Sequence, residues 1–207
     1  MPRPPRRLLS AQIIVDAALK MVDAAGDFTM PGLAERLNVR PSSLYNHVSG
    51  RAEIIELMRA QAMASIRLDE HGAAPNGWID TVASLAREYR LSYSKHPRLI
   101  PLLTAHTVQT DVAFGMYNAL ATAFTAGGFS PAEVLHAITA LDSFVLGSAL
   151  DLAAPREVWA STPRANEPMR AALAAAGGAP NRADDAFEFG LRVLIAGLRA
   201  EASSGSA

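Results

Sequence analysis

Cysteine is absent from the 207 residues of this chain, which excludes disulfides and thiolate metal sites and suits a reducing compartment. No stretch approaches the roughly 18 uninterrupted apolar residues of a membrane helix, and no apolar run of signal-peptide type follows the basic first residues. We therefore expect a cytoplasmic protein without a membrane partner. Alternating polar and apolar runs, internal repeats and strand–helix–strand patterns are also missing.

Motifs for metal binding and catalysis are missing as well. The histidines at positions 47, 71, 96, 106 and 136 have no HxxxH or HExxH spacing, so we expect no metal site. Neither a GxSxG motif nor a phosphate-binding glycine-rich loop occurs. We therefore predict no catalytic residue and no cofactor, and we do not expect an enzyme.

The chain consists of apolar-periodic segments separated by short Gly, Pro and Asn breaks, which predicts an all-α protein. Ser10 can cap a helix that Gly26 ends. Thr29 can cap a second helix that carries Pro31 in its first turn. Asn38 tolerates the left-handed conformation that a tight turn requires. The first four helices are predicted over about 10–25, 29–37, 41–48 and 51–68.

A looser stretch with linker composition, residues 70–77, divides the chain. We predict two domains, residues 1–68 and 69–207, with the fourth helix reaching into both. In the second domain Ser130, Pro131 and Glu133 form a capping box at a helix start. Further helices are predicted over about 78–96, 111–126, 130–153 and 183–201, with a Pro-punctuated segment at 97–107 and a short helix at 166–175 within a long loop.

Charge is distributed unevenly along the chain. Residues 1–51 contain seven basic and four acidic residues, a net +3, which leaves −4 for the remainder. A basic N-terminal third on an acidic body favours a polyanionic partner for that third. Chance solvation of a few extra charges would give the same distribution.

Residues 29–48 predict two short helices and a turn, with polar side chains gathered on the second helix. Leu44 and Val48 lie four apart and can bury one face of it. The other face can meet phosphates and base edges in the major groove of DNA, where Asn46 could read adenine and Arg40 guanine. An ordinary helical hairpin is the alternative. The candidates are Arg40, Pro41, Ser42, Ser43, Tyr45, Asn46, His47 and Arg51, with Arg6 and Arg7 in a basic N-terminal arm.

Residues 13–58 resemble the DNA-binding domain of TetR-family transcriptional repressors. The resemblance implies a homodimer with a three-helix reading head and a helical ligand-binding body. It places Tyr45, His47 and Arg51 at backbone contacts, and it adds Thr29 and Met30 to the DNA-binding residues. Where the family commonly has Gly and a capping Ser, this chain has Asn38 and Arg40. The matching residues are Ala17, Ala18, Gly26, Thr29, Leu33, Ala34, Leu37, Val39, Leu44, Tyr45, His47, Val48, Arg51, Ile54 and Ile55.

Residues 78–103 and 125–150 resemble the tetracycline-repressor subgroup of the family. In that subgroup a histidine helps to bind magnesium-bound drug, whereas this chain has Leu103 at the corresponding position, which argues against metal-dependent tetracycline binding. Side chains that have an apolar body and a polar tip, and residues next to such side chains, are our candidates for the lining of a cavity between helices. They are Tyr93, His96, Leu103, His106, Tyr117 and Phe144; a plain core or surface position is the alternative for each.

The helices predicted over 130–153 and 183–201 carry apolar residues over more of their surface than an amphipathic helix with one buried face would. Small residues at 147–149 would let a partner helix approach closely, so we predict a four-helix dimer interface. Burial of both helices within one subunit is the alternative. The interface residues are predicted to be Leu141, Val145, Ser148, Phe187, Leu191, Leu194 and Leu198.

These patterns lead to one functional expectation. We predict a homodimeric transcriptional regulator, a repressor that a small-molecule effector releases from a palindromic double-stranded DNA operator. The alternative is an all-α enzyme, or a ligand-binding protein with a vestigial DNA-binding head.

Overall fold

The structure is a computed structural model that describes residues 9–68, 77–155, 157–159, 164–176 and 180–204. The described residues are helical and contain no strand, which confirms the all-α prediction. Helices α1 to α4 form an N-terminal head, and α5 to α10 form a larger body. The helices are α1 (Ala11–Ala25), α2 (Met30–Arg36), α3 (Pro41–Leu44), α4 (Arg51–Met63), α5 (Trp78–Ser92), α6 (Ile100–Thr104), α7 (Asp111–Ala126), α8 (Pro131–Asp151), α9 (Glu167–Ala176) and α10 (Arg182–Ser204).

The helix ends in the head follow the predicted capping chemistry. The Ser10 hydroxyl accepts a hydrogen bond from the Ile13 amide at 3.3 Å, and Gly26 ends α1 with a left-handed φ of 82°. The Thr29 hydroxyl accepts the Gly32 amide at 3.1 Å at the start of α2. Asn38 takes a φ of 53° in the turn before α3, as Asn does more readily than most residues. These local choices set the angle between α2 and α3.

Three helices end earlier than predicted, α3 at Leu44, α4 at Met63 and α5 at Ser92. The chain tightens after Met63 into bonds of the i to i−3 type, from Ala64 to Gln61 and from Ile66 to Met63, so α4 does not continue to residue 68. At the end of α5 the hydroxyl of Ser92, and just beyond it that of Ser94, donate to backbone carbonyls three residues earlier. This local bonding competes with helix continuation. Of the predicted linker at 70–77, all but residue 77 lies outside the described residues.

In the body, α5, α7 and α8 pack against one another, and α10 lies across α8 and α5. Phe144 of α8 stacks on Phe187 of α10 at 5.4 Å between ring centroids. Gly190 permits this approach, because a Cβ there would lie 2.5 Å from the Phe144 ring. α8 is long and apolar enough to cross a membrane by length and composition. One stripe of it is buried in the body, made of Val134, Ala137, Leu141, Val145 and Ala149.

Candidate functional site

A cluster of exposed polar side chains surrounds α3. Leu44 and Val48 are buried beneath it, as predicted, and they hold this short segment to the head. The regular helix ends at Leu44, and residues 45–47 continue as turns. Tyr45 is 54% exposed although it is a large aromatic residue. The other exposed members are Arg40, Pro41, Ser42, Asn46 and His47, with Ser43 half-buried.

The residues flanking α3 differ in their exposure and in whether their polar groups already form hydrogen bonds. Thr29 is exposed, but its hydroxyl is engaged in capping α2. Met30 is half-buried. Arg40 precedes Pro41 at the start of α3 and makes no capping hydrogen bond, so its exposed guanidinium is available to a ligand. Arg6 and Arg7 lie outside the described residues.

Arg51 is the first residue of α4 and contacts the α1–α2 loop. Its Nη2 lies 2.6 Å from Asp27 Oδ1, and its guanidinium lies 5.1 Å from the centroid of the Phe28 ring. The pKa of Asp27 is lowered, first by the backbone amide of Phe28 and then by Arg51. About a third of the Arg51 side chain remains exposed, so one cation braces the α1–α2 loop and still reaches the surface.

A cavity of about 220 Å³ lies in the body between α4, α5, α7 and α8. One wall is a hydrogen-bonded cluster in which Tyr89 and Tyr117 donate to the same oxygen, Asp142 Oδ1, at 2.8 and 3.0 Å. Burial, followed by the negative charge of Asp142, raises the pKa of Tyr117 to about 12. The lining residues are Arg59, Tyr89, Tyr93, Leu103, Thr104, His106, Val108, Tyr117, Asp142 and Leu146.

Arg59 brings α4 into the cavity wall. Its side chain is nearly fully buried, and Nε donates to Glu56 Oε1 at 3.0 Å. Nη2 donates to the Leu103 carbonyl at 3.1 Å and to the His106 carbonyl at 3.4 Å. A buried guanidinium needs such compensation. These contacts join the helix that leaves the head to the segment after α6.

Tyr93 is the least satisfied polar residue of the cavity wall. Its side chain is fully buried, and its hydroxyl has no hydrogen-bond partner among the described residues. Burial is the main cause that raises the pKa of this phenol, and Arg59 opposes the rise through its charge and its closeness to the hydroxyl, although the two groups do not meet in hydrogen-bond geometry. The ring packs edge-on against Tyr89, with 5.6 Å between centroids. An unpartnered buried hydroxyl costs free energy.

Comparison with known proteins decides the family. Residues 71–202 match the tetracycline repressor-like C-terminal domain. The chain belongs to the TetR family of transcriptional regulators. An HTH-type transcriptional regulator of Saccharopolyspora erythraea is 31% identical, the alignment covering 94% of this chain and 86% of that protein. The HTH-type transcriptional repressor DrrR1 of Streptomyces coeruleorubidus is 27% identical, with 95% and 79% covered.

A solved structure agrees with this membership. ActR, a TetR family protein of Streptomyces coelicolor crystallised in complex with (S)-DNPA, superposes with a TM-score of 0.73 at 26% identity, and the match covers 93% of this chain and 98% of ActR. The predictions of a TetR-family regulator, of an all-α fold with a helix-turn-helix head, and of a protein that is not an enzyme are therefore confirmed.

The cavity of this TetR-family chain brings together four of the six residues selected from the sequence: Tyr93, Leu103, His106 and Tyr117. The other two lie elsewhere. His96 directs Nδ1 to both carboxylate oxygens of Asp23 in α1, at 3.0 Å each, and Phe144 stacks between α8 and α10.

Sequence reasoning missed six residues of the cavity wall, of which three make its side-chain hydrogen bonds: Arg59, Tyr89 and Asp142. The other three are Thr104, Val108 and Leu146. Tyr89 lies four residues before Tyr93, on the same face of α5, which was a usable signal. A charged residue within an apolar helix was the signal for Asp142.

The predicted dimer residues require a correction. Most of them face the interior of their own protomer: Leu141, Val145, Phe187, Leu191 and Leu198 are buried there, and Ser148 accepts a hydrogen bond from Arg90 Nε at 2.9 Å. Leu194 is half-buried. The helices were chosen for their overall apolarity, which does not say which face points outward. The exposed apolar residues of α8 and α10 are instead Leu135, Leu150, Phe189 and Val193.

Proposed function

We propose that this TetR-family chain acts in the cytoplasm as a homodimeric repressor, which a small-molecule effector releases from a palindromic operator. The observation that carries the proposal is the position of α4, which has Arg51 paired with Asp27 in the head and Arg59 in the cavity wall. Eight residues separate them, about 12 Å along a helix. One rigid element thus joins the two places where ligands would bind.

For DNA binding, the proposal uses the exposed cluster around α3. We assign phosphate contacts to Tyr45, His47 and Arg51. We assign base contacts to Asn46 and to residues 41–43 at the start of α3. Arg40, without a capping role, joins the DNA-facing set, as do Thr29, Met30 and the basic arm with Arg6 and Arg7. Two heads in a dimer would read half-sites about 34–36 Å apart. The reading head would correspond to residues 1–68 and the body to residues 69–207.

For dimerisation, we assign the interface to an apolar stripe on the outer faces of α8 and α10. Leu135, Phe189 and Val193 are each more than half exposed, an unusual state for large apolar residues on two long neighbouring helices. Gly147 and Gly197 have open space where a Cβ would stand, so a partner helix can come close to the backbone. The pairing of both helices with their copies would form a four-helix interface.

For release, the effector would occupy the body cavity. An oxygen or nitrogen acceptor of the effector would give the Tyr93 hydroxyl the partner that it lacks. ActR, which was crystallised with (S)-DNPA, supports a small-molecule effector for this chain. To release DNA, the effector must bind more tightly to the conformation whose heads no longer match the operator spacing.

Selection from a random DNA pool tests the proposal. We expect the full-length protein to enrich a palindromic consensus whose half-site centres lie one turn of DNA apart. An Asn46→Ala variant should enrich an altered consensus, because a base contact is lost, while Asp185→Asn on the exposed start of α10 serves as a control. Failure to enrich any sequence at low salt would contradict the proposal.

A further inference from the structure

The charges around the body cavity do not cancel. Arg59 is matched by Glu56 at 3.0 Å, in an ion pair that is almost fully buried on both sides. Asp142 has no such match, because its hydrogen-bond partners are the neutral hydroxyls of Tyr89 and Tyr117. Within the described part of the chain, no Arg or Lys side chain forms an ion pair with it. The cavity wall therefore carries one uncompensated carboxylate.

The remaining groups of the wall add to this polarity. Both tyrosine hydroxyls donate to Oδ1 of Asp142, and Oδ2 receives no hydrogen bond from the described residues. The His106 ring bonds to the Leu102 carbonyl through Nδ1 at 2.9 Å. A carbonyl only accepts, so this ring nitrogen donates to it. The carboxylate oxygen Oδ2 of Asp142 is thus the acceptor of the wall that the described residues leave without a hydrogen bond.

Aromatic rings frame the carboxylate. Tyr89, Tyr93 and Tyr117 all line the cavity together with Asp142. The faces of aromatic rings attract cations, and this attraction is stronger where water is excluded. A carboxylate held among phenol rings suits an ammonium group far better than an anion, which Asp142 would repel.

We propose that the effector of this protein is a cationic compound, an aromatic amine or quaternary ammonium whose positive charge lies against Asp142 among the tyrosine rings. This inference rests on the proposed function, because it names the chemical class of the ligand in the same cavity. The volume of about 220 Å³ holds roughly seven waters at the density of the liquid, so the cavity takes a compact ligand or one ring system of a larger one.

The test compares three aryl probes with the same number of non-hydrogen atoms and different charge: benzyltrimethylammonium, N,N-dimethylbenzamide and 3-phenylpropanoate. Their dissociation constants for the full-length protein are measured by calorimetry or ligand-observed NMR. We expect the cation to bind about tenfold or more tightly than the other two, since a desolvated cation–π contact alone is worth up to about a factor of thirty. Equal binding of the three, tighter binding of the neutral or anionic probe, or no binding of any of them overturns the proposal.

Two variants then test whether Asp142 is the source of the preference for the cation. Asp142→Asn keeps the size of the side chain and an oxygen for the tyrosine hydroxyls, and it should remove the preference for the cation. Asp185→Asn changes the net charge equally on the exposed surface of α10, and it should keep the preference. A preference that survives Asp142→Asn would overturn the assignment. Because the probe comparison needs no variant, a fold defect in Asp142→Asn leaves the test decisive. If the unaltered protein shows no preference for the cation but still selects a palindromic consensus, the effector class alone is refuted. Failure to select DNA would refute the proposed function.

Discussion

Replacing Tyr93 by Phe is expected to stabilise the protein, although it removes a polar group from a fully buried residue. The hydroxyl has no hydrogen-bond partner in the part of the chain that the structure describes, so its burial costs about 1–3 kcal/mol that the unfolded chain does not incur. The ring contact with Tyr89 at 5.6 Å survives the change. We therefore expect the free energy of unfolding to rise by about 1 kcal/mol or more, since relaxation around the missing oxygen takes back part of the gain.

The matched control is Tyr89→Phe, one helical turn earlier on α5. Its hydroxyl donates to Asp142 at 2.8 Å, and a hydrogen bond to a charged group contributes about 1.5–3 kcal/mol. The same chemical change, loss of one oxygen, should therefore lower stability here and raise it at Tyr93. Urea unfolding at one fixed protein concentration measures both, because the stability of a dimer depends on concentration.

Opposite shifts of the two urea midpoints are the outcome that the structure requires. A loss of stability in Tyr93→Phe as large as that in Tyr89→Phe would refute the reasoning, because it would mean that the Tyr93 hydroxyl is hydrogen-bonded. The assay also separates stability from binding. An effector that bonds this hydroxyl should bind more weakly to Tyr93→Phe even though the variant is more stable.

Three further outcomes are expected. Arg51→Ala should weaken binding to all DNA sequences and reduce the slope of log affinity against log salt by about one; an unchanged slope would argue against phosphate contact. Val193→Glu should convert the dimer to a monomer, as judged by sedimentation, because it buries a charge in the apolar stripe; a dimer that persists would move the interface elsewhere. Ser130→Ala should cost about 1 kcal/mol of stability by removing one half of the capping box; no change in the urea midpoint would show that the box is dispensable.

The fold was largely predictable because its helix ends depend on short-range chemistry. Ser10, Thr29, Asn38 and the Ser130 box each act through contacts within a few residues, and each takes the conformation that its side chain favours. Where the ends were misjudged, as at Ser92, a hydroxyl bonding back to its own helix ended a segment whose apolar pattern continued.

The cavity was only partly predictable because its members come from distant parts of the chain. A rule that favours amphipathic side chains selected Tyr93, His106 and Tyr117. The same rule selected His96, which faces Asp23 in the head instead. Periodicity gives the face on which a residue lies, but not which neighbouring element covers that face. The dimer prediction was misplaced for this reason, since the outward faces of α8 and α10 depend on how α5 and α7 pack.

The continuous helix α4 between head and cavity has a consequence for how such proteins can change. Each residue of an α-helix adds about 1.5 Å and about 100° of rotation. One residue inserted between Arg51 and Arg59 would turn the head to a different side of the body while leaving both parts intact. A chimera that joins this head to another body must therefore keep the helical phase of α4. Deletions and insertions in this segment should be selected against more strongly than substitutions.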